Sequence, residues 1–237
     1  YVLRSGSFVA VVGGVNGDIC GRSLAPLVTA DSNPGRVTVS LGGVGRNIAH
    51  NLRLMDVDVK LLSAYGDDPN GQVAASCSEL GIDLSHALRL SDAATSTYLY
   101  LTDPAGEMAL AVSDMAVCDQ ITPEYLAENL TLLQNAKVII ADTNIPAESL
   151  RYLAENCQCP LFVDPVSTAK AEKLRPILHR IHTLKPNRLE AELLSGIPIR
   201  SKEDVAKAAR VLLDKEERPD LREKHNGLNH LQKLHSR

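Results

Sequence analysis

Short apolar runs alternate with amphipathic segments along the first third of the chain. The runs FVAVVGG, RVTVSL and VKLLSAYG predict strands over residues 8–14, 36–41 and 59–66. Apolar residues at helical spacing predict helices over residues 45–55 and 71–80. The first run ends in two glycines, and the second leads into a glycine-rich loop. The chain therefore begins as strands and helices in succession.

The same alternation returns in the second half of the chain. Strands are predicted at residues 136–142, 160–164 and 181–187, and helices at residues 147–156, 170–179 and 201–215. Ser201 is placed to cap the last of these helices, and acids follow in its first turn. Strands that alternate with helices indicate an α/β fold, with a mainly parallel central sheet covered on both faces.

A β-rich section separates the two halves. Residues 95–112 consist of two β-rich arms around the turn DPAGE, which predicts a hairpin. Together with a hairpin-like region around residues 19–40, it is expected to form a small separate sheet. Tyr98, Tyr100 and Thr102 share one face of the first arm. That face either closes over a ligand, or the arms pair as a dimer interface or cover the core.

Composition and charge exclude several classes of function. The 237 residues suit one large α/β domain, with or without a small appendage, and 44% are hydrophobic. A net charge of -4 gives no electrostatic case for nucleic acid or an anionic membrane. No apolar run approaches the roughly 20 residues that span a bilayer. The five cysteines are expected to be reduced thiols without a zinc site, which points to a cytoplasmic protein.

The alternation stops at residue 215. Residues 215–237 are mostly polar, so we expect a divergent tail that is disordered or loosely helical. His225, His230 and His235 recur every five residues in this tail. That period matches neither one helical face nor a known spacing of metal ligands, so no metal site is predicted there.

The glycine loop LGGVGRN allows three interpretations. Gly43-x-Gly45 is the first half of a dinucleotide fingerprint, but Ile48 stands where its third glycine belongs. That interpretation implies a nicotinamide-dependent oxidoreductase. The loop could also be a turn at the start of a helix without any ligand. Thirdly, Gly42 and Gly43 would let a sugar approach the backbone closely.

Polar residues beside this loop favour the sugar interpretation. Asn47, one turn into the predicted helix, can donate and accept hydrogen bonds toward vicinal hydroxyls. Asn16 and Asp18 follow the first predicted strand and add an amide and a carboxylate. An ionised carboxylate is a strong acceptor for a pair of hydroxyls. The conjunction of the two segments predicts a sugar or polyol site.

The segments GGVNGD, NPGRVTVSLGGVGRN and KPNRLEAE, with the β-rich section between them, resemble the ribokinase/PfkB family of carbohydrate kinases. The resemblance covers residues 8 to about 214 and is strongest to the pseudouridine kinases of that family. It implies a ribokinase-like three-layer fold with a small β-lid from about residues 19–40 and 95–115. It also implies a kinase domain over residues 1–214.

The resemblance implies an activity and a set of substrate-binding residues. Members of this family transfer the γ-phosphate of ATP to a primary hydroxyl, which in pseudouridine kinases is the 5′-hydroxyl of pseudouridine. By position, Asp18, Gly42, Gly43 and Asn47 would hold the ribose, with Asn16 beside them. Another sugar or nucleoside kinase of the family is the alternative. The expected partner is thus a small molecule.

The resemblance also implies a phosphate end. Asn187 and Glu190 match an N-x-x-E motif, in which Asn187 lies near the ATP phosphates and Glu190 orders Mg²⁺ through water. The same spacing fits an ordinary helix N-terminus with an acid in its first turn. Lys170 either approaches a phosphate or is a solvated helix residue.

A second family motif, G-A-G-D, does not occur in the sequence. In the family its backbone forms an anion hole and its Asp is the general base. We therefore expect a truncated form with no catalytic residue and little or no turnover. A non-catalytic binding or regulatory chain is the competing hypothesis.

Overall fold

The computed structural model describes residues 6–67 and 72–214. Its strands are β1 (Val9–Val12), β2 (Asn16–Ser23), β3 (Gly35–Gly42), β4 (Val59–Leu62), β5 (Ala64–Gly66), β6 (Leu88–Leu90), β7 (Ser96–Thr102), β8 (Met108–Asp114), β9 (Val138–Asp142), β10 (Leu161–Asp164) and β11 (Thr183–Leu184). Its α-helices are α1 (Val44–Leu54), α2 (Gln72–Glu79), α3 (Pro123–Glu128), α4 (Leu130–Asn135), α5 (Ala147–Asn156), α6 (Thr168–Ala171), α7 (Arg188–Ser195) and α8 (Lys202–Asp214). Two 3₁₀ helices cover Ala116–Gln120 and Glu172–Arg180.

Five parallel strands form the central sheet, in the order β11-β10-β9-β1-β4. Val9 in β1 pairs with Val59 on one side and with Val138 on the other. All four residues of β1 are buried, as expected for an apolar run that lies at the middle of a parallel sheet. The prediction of an α/β fold with a mainly parallel sheet is confirmed.

Helices cover both faces of the central sheet and give three layers. One core cluster includes Leu150, Leu153 and Leu174, which lie on α5 and the second 3₁₀ helix. The other includes Ala49 on α1 and Val73 on α2. Because apolar strand residues point alternately to the two faces, each face needs its own helical cover.

A second sheet has the order β3-β2-β7-β8, and we call it the lid. Strands β2 and β3 are antiparallel, as are β7 and β8, whereas β2 and β7 are parallel. The two predicted hairpins therefore join edge to edge into one sheet. The division into a kinase domain over residues 1–214 and a tail remains a prediction, because residues 215–237 lie outside the described residues together with their three histidines.

Two predicted elements are wrong in detail. The single strand expected over residues 59–66 is two strands, since β4 belongs to the central sheet while β5 pairs with β6. The helix expected over residues 170–179 is the short α6 followed by a 3₁₀ helix that contains Pro176. Proline has no N–H for a helical hydrogen bond, which explains the change. Within the described residues, no helix has the length and apolar character needed to cross a membrane.

Candidate functional site

Four glycines bring two backbone segments into direct contact at the carboxyl end of β1. Gly43 has a φ of 96°, which favours glycine, and a Cβ atom there would overlap the carbonyl oxygen of Gly14. A Cβ atom on Gly45 would lie 2.9 Å from the carbonyl carbon of Gly13. The glycines at the start of α1 therefore serve close packing against the segment that leaves β1.

The carboxylate of Asp142 forms hydrogen bonds with all three backbone segments of this site. It lies at the end of β9, is fully buried, and accepts hydrogen bonds from the backbone N–H groups of Gly14 at 2.9 Å and Asn144 at 2.8 Å. The N–H of Gly45 donates to it as well. Burial raises the pKa of Asp142, and the three backbone donors oppose that rise. Asp142 thus fixes the start of α1 and the loops after β1 and β9 relative to one another.

Three of the predicted sugar-binding residues meet at the base of the lid. Asn16 is paired with Gly42 in the β2–β3 ladder, and its amide donates a hydrogen bond to the Asp18 carboxylate. A Cβ atom on Gly42 would overlap that carboxylate. Burial raises the pKa of Asp18, and the hydrogen bond from Asn16 opposes the rise. The Asp18 carboxylate, the Asn16 amide and the backbone of Gly42 are thus in mutual contact at the base of the lid.

Two further predicted residues lie next to this spot. Gly43 follows Gly42 directly and is the N-terminal boundary residue of α1. Asn47 lies in the first turn of α1, where its N–H donates to the Gly43 carbonyl at 2.8 Å and its side chain is exposed. The side-chain oxygen of Asn47 accepts a hydrogen bond from Arg46 at 3.3 Å. The exposed amide of Asn47 remains accessible to a ligand above α1.

The dinucleotide interpretation of Gly43-x-Gly45 is wrong. In a dinucleotide fold the strand before the glycine loop belongs to the parallel sheet. Here that strand is β3, which lies in the lid and runs antiparallel to β2. The glycines pack against Gly13 and Gly14, so they leave no room for a pyrophosphate on the helix N-terminus.

Asn187 and Glu190 form a reciprocal cap at the start of α7. Asn187 accepts from the backbone N–H of Glu190 at 2.9 Å. The Glu190 carboxylate accepts from the backbone N–H of Asn187 at 2.8 Å and from its side-chain amide at 2.7 Å. Glu190 is only 3% exposed. The local geometry is therefore that of a capping box, the alternative to a phosphate site that the spacing also allowed.

This pair lies apart from the sugar-binding residues. It follows β11, which is three strands from β1 in the central sheet. At the usual distance between strands this separation is about 14 Å. Both groups still lie at the carboxyl ends of parallel strands, where ligands bind in open α/β sheets.

A cavity of about 500 Å³ lies between α1 and the strands β9, β10 and β11. Its lining includes Asn47 and Asn51 on α1, Phe162 and Asp164 on β10, and Lys185 after β11. Asp164 and Lys185 form an ion pair of 3.0 Å at its edge. A smaller cavity of about 240 Å³ near Lys60 lies at the opposite, amino ends of β1 and β4. The larger cavity has the volume of a ligand site and touches a predicted sugar-binding residue.

The lid has one polar and one apolar face. Asp18, Cys20, Tyr98 and Tyr100 share the polar face, and the two tyrosine rings are 5.5 Å apart. The opposite face carries exposed apolar residues at Val37, Val39, Leu99, Leu101, Leu110 and Val112, and we call it the outer lid face. Asn16 lies on the same face of β2 as Asp18, so the polar face of the lid adjoins the predicted sugar-binding residues.

The sequence did not single out several residues that organise the site. Lys173 donates to the carbonyl oxygens of Thr143 and Ile145, both at 2.9 Å, and so holds the loop after β9. Gly13 and Gly14 also had no assigned role. A pair of glycines directly after a buried strand was the available signal for them, whereas nothing in the sequence pairs Lys173 with that loop.

Comparisons with known proteins agree with this arrangement. Residues 7–218 match the pfkB family carbohydrate kinases. The chain is 47% identical to pseudouridine kinase from Escherichia coli over 209 residues, which are 87% of this chain and 67% of that protein. It is 40% identical to the uncharacterized sugar kinase YeiI from the same organism, over 86% of this chain and 57% of YeiI.

A solved structure shows the same fold. Ribokinase from Arabidopsis thaliana, in complex with ribose and ATP, superposes with a TM-score of 0.75 over 88% of this chain and 69% of the ribokinase. The identity is 18%, so this likeness concerns the fold alone. The chain spans about two thirds or less of the length of these three proteins.

Proposed function

The chain belongs to the pfkB family of carbohydrate kinases, and from this membership we propose that it carries the nucleoside-binding part of a pseudouridine kinase. Such an enzyme transfers the γ-phosphate of ATP to the 5′-hydroxyl of pseudouridine and forms pseudouridine 5′-phosphate. The 47% identity to a pseudouridine kinase supports the choice of substrate.

The contact between Asn16, Asp18 and Gly42 carries the proposal. The Asp18 carboxylate accepts hydrogen bonds from two neighbouring ribose hydroxyls, which suits an acceptor-only group with two oxygens. Asn16 orients that carboxylate, and the absence of a side chain at Gly42 leaves the room that the carboxylate occupies. Asn47 offers a further amide from α1. This set recognises a ribose rather than a particular base.

ATP and Mg²⁺ are the cofactors implied by the family. ATP supplies the phosphoryl group, and Mg²⁺ neutralises the charge that develops on it. Each oxygen of the Glu190 carboxylate accepts one hydrogen bond and retains a further lone pair. Because Glu190 is nearly fully buried, it would reach Mg²⁺ through water, with Asn187 beside the phosphates. These two residues therefore fit the role, in addition to capping α7.

The outer lid face supports a homodimer. Its side chains form two rows across the sheet, one through Val39, Leu99 and Val112 and one through Val37, Leu101 and Leu110. A continuous exposed apolar surface of this kind marks an interaction site. We assign it to a second copy of the lid, since a dimer would cover both rows while it leaves the polar face open to substrate.

Binding of pseudouridine to the 237-residue chain, measured by calorimetry, tests the proposal. Wild-type protein should bind pseudouridine more tightly than ribose or adenosine. Asp18→Asn should weaken binding by about 10- to 100-fold, because a hydrogen bond to a charged acceptor is lost. Asp92→Asn is the matched control, since Asp92 is exposed and lies outside the site. Tighter binding of adenosine would instead indicate another nucleoside kinase.

For turnover we propose a separate outcome. No residue of the 237 matches the general base of the G-A-G-D motif. The chain should therefore bind the nucleoside without ATP-dependent phosphorylation that exceeds a no-protein blank. Formation of pseudouridine 5′-phosphate at a rate typical of sugar kinases would contradict this part of the proposal and leave the binding part intact.

A further inference from the structure

Lys170 is a partly buried ammonium group without a carboxylate partner among residues 6–67 and 72–214. Its Nζ donates a hydrogen bond to the side-chain oxygen of Asn144. An ammonium has three donors, and this bond uses one of them. Lys185, by contrast, is paired with Asp164 at 3.0 Å. Lys170 therefore has unused donor capacity that an oxygen of a ligand can satisfy.

Asn144 connects Lys170 to the sugar-binding residues. Asn144 is 8% exposed and packs directly on Gly14, where a Cβ atom would lie 3.0 Å from its amide nitrogen. Gly14 in turn contacts Gly43 through its carbonyl oxygen. The Asn144–Lys170 pair thus lies on one side of the segment after β1, and the glycines of α1 lie on the other.

A strained turn sets the direction of Lys170. Val166 has a φ of 62°, which a β-branched residue rarely adopts. The carbonyl of Pro165 accepts from the Thr143 hydroxyl and from the N–H of Ser167, and these bonds hold the turn. Ser167 then caps α6, with its hydroxyl accepting from the N–H of Lys170 at 3.4 Å. Strain that the surroundings maintain is typical of functional sites.

The surroundings of Lys170 place it at the lid side of the site. Burial raises the pKa of the nearby Cys118 thiol, while a hydrogen bond from Ser96 and the charge of Lys170 oppose that rise. Ser96 is 3.5 Å from the Cys118 sulfur and pairs with Asn16 at the base of the lid. Asn187, at the proposed phosphate end, follows the far edge strand β11 instead. Lys170 is therefore placed for the part of the substrate under the lid.

We propose that Lys170, oriented by Asn144, donates a hydrogen bond to a carbonyl oxygen of the nucleobase and so favours a nucleoside over a free sugar. The inference rests on the proposed function. The uracil base of pseudouridine carries two carbonyl oxygens, whereas free ribose in its ring form carries none. The positive charge strengthens the hydrogen bond that such an oxygen accepts.

Calorimetric titration of Lys170→Met with pseudouridine, with ribose and with pseudouridine 5′-phosphate tests the inference. Pseudouridine binding should weaken by about 10- to 100-fold, and ribose binding should stay within about twofold of wild type. Lys170→Gln is a second variant, which retains a donor toward Asn144 but removes the charge. It should show the same selective loss, and it replaces Lys170→Met in the test if Met disturbs the fold. Lys137→Met is the matched control, because Lys137 is exposed and lies outside the site.

Three outcomes would overturn the inference. Equal losses for pseudouridine and ribose would place Lys170 at the sugar. A loss confined to pseudouridine 5′-phosphate, with pseudouridine unchanged, would place it at a phosphate. Unchanged binding of all three ligands would make Lys170 a solvated residue. Failure of the wild-type chain to bind any of these ligands would overturn the proposed function itself, and this inference with it.

Discussion

The carboxylate of Asp142 accepts a 2.9 Å hydrogen bond from the backbone N–H of Gly14, 128 positions away in the sequence. The same carboxylate accepts from Asn144 at 2.8 Å and from Gly45. One buried group at the end of β9 thereby fixes the three segments that surround the proposed ribose site. The geometry of the site depends on this group more than on any single residue that would touch the substrate.

Asp142→Asn should destabilise the protein and loosen the site. The new side chain has an NH₂ group in place of one carboxylate oxygen, so at least one backbone N–H loses its acceptor. We expect a loss of about 2–3 kcal/mol in the free energy of unfolding. Urea denaturation measures it, and pseudouridine titration of the folded variant should show weaker binding. Asp92→Asn serves as control. A variant as stable as wild type would show that the three backbone bonds contribute little.

Substitution of Glu190 should separate its capping role from a metal role. Glu190→Gln retains one acceptor oxygen for the Asn187 backbone and should cost about 1 kcal/mol, whereas Glu190→Ala loses both bonds and should cost about 2 kcal/mol. Both variants should weaken Mn²⁺ binding, followed by paramagnetic relaxation in the presence of ATP. Unchanged Mn²⁺ affinity in both would assign Glu190 to the cap alone.

The strain at Val166 predicts a stabilising substitution. Val166→Gly removes a Cβ atom from a backbone with a φ of 62°, which relieves about 1–2 kcal/mol. The greater freedom of glycine in the unfolded chain offsets about half of this gain. Thermal unfolding should therefore show an equal or slightly higher midpoint. A clear drop would mean that the Val166 side chain packs more favourably than its backbone is strained.

The outer lid face predicts a concentration-dependent oligomer. Leu110→Asp places a charge at the β8 end of one apolar row and should shift sedimentation from dimer to monomer. Leu24→Asp is a matched control, since Leu24 is 66% exposed but lies outside both rows. If wild-type protein sediments as a monomer over the accessible range, the dimer proposal fails whatever the variants do.

The Lys60–Asp83 pair predicts a small acid-sensitive part of the stability. Burial tends to raise the pKa of Asp83, but hydrogen bonds from Lys60 and Ser85 outweigh it and hold the pKa at about 2. Because the folded pKa is lowered, this stabilisation is present above about pH 4 and is lost as the pH falls through about 2. The pair is partly exposed, so we expect about 1 kcal/mol or less.

Comparison of Asp83→Asn with wild type tests this prediction. The free energy of unfolding should differ at pH 6, and the difference should shrink steadily as the pH falls from 4 through 2. A constant difference over that range would assign the effect of the substitution to lost packing or to the bond with the Ser85 backbone rather than to charge.

The sequence by itself determined the alternation of strands and helices and the separate lid. It did so because periodicity and turn residues are local signals: α5 begins and ends at the predicted residues, and β7 and β8 form the predicted hairpin. It also indicated Asn16, Asp18 and Gly42, whose mutual contact the structure then showed. The resemblance to the family rested on the same short segments.

Only the tertiary structure decided how distant groups meet. Asp142 and Lys173 act on loops that their own neighbourhoods in the sequence do not reveal, and Val166 adopts a left-handed backbone that surrounding hydrogen bonds impose on it. The break between β4 and β5 likewise depends on which sheet accepts each half of one apolar run. Hydrogen bonds and packing between segments far apart in sequence have no periodicity, so a linear pattern cannot specify them.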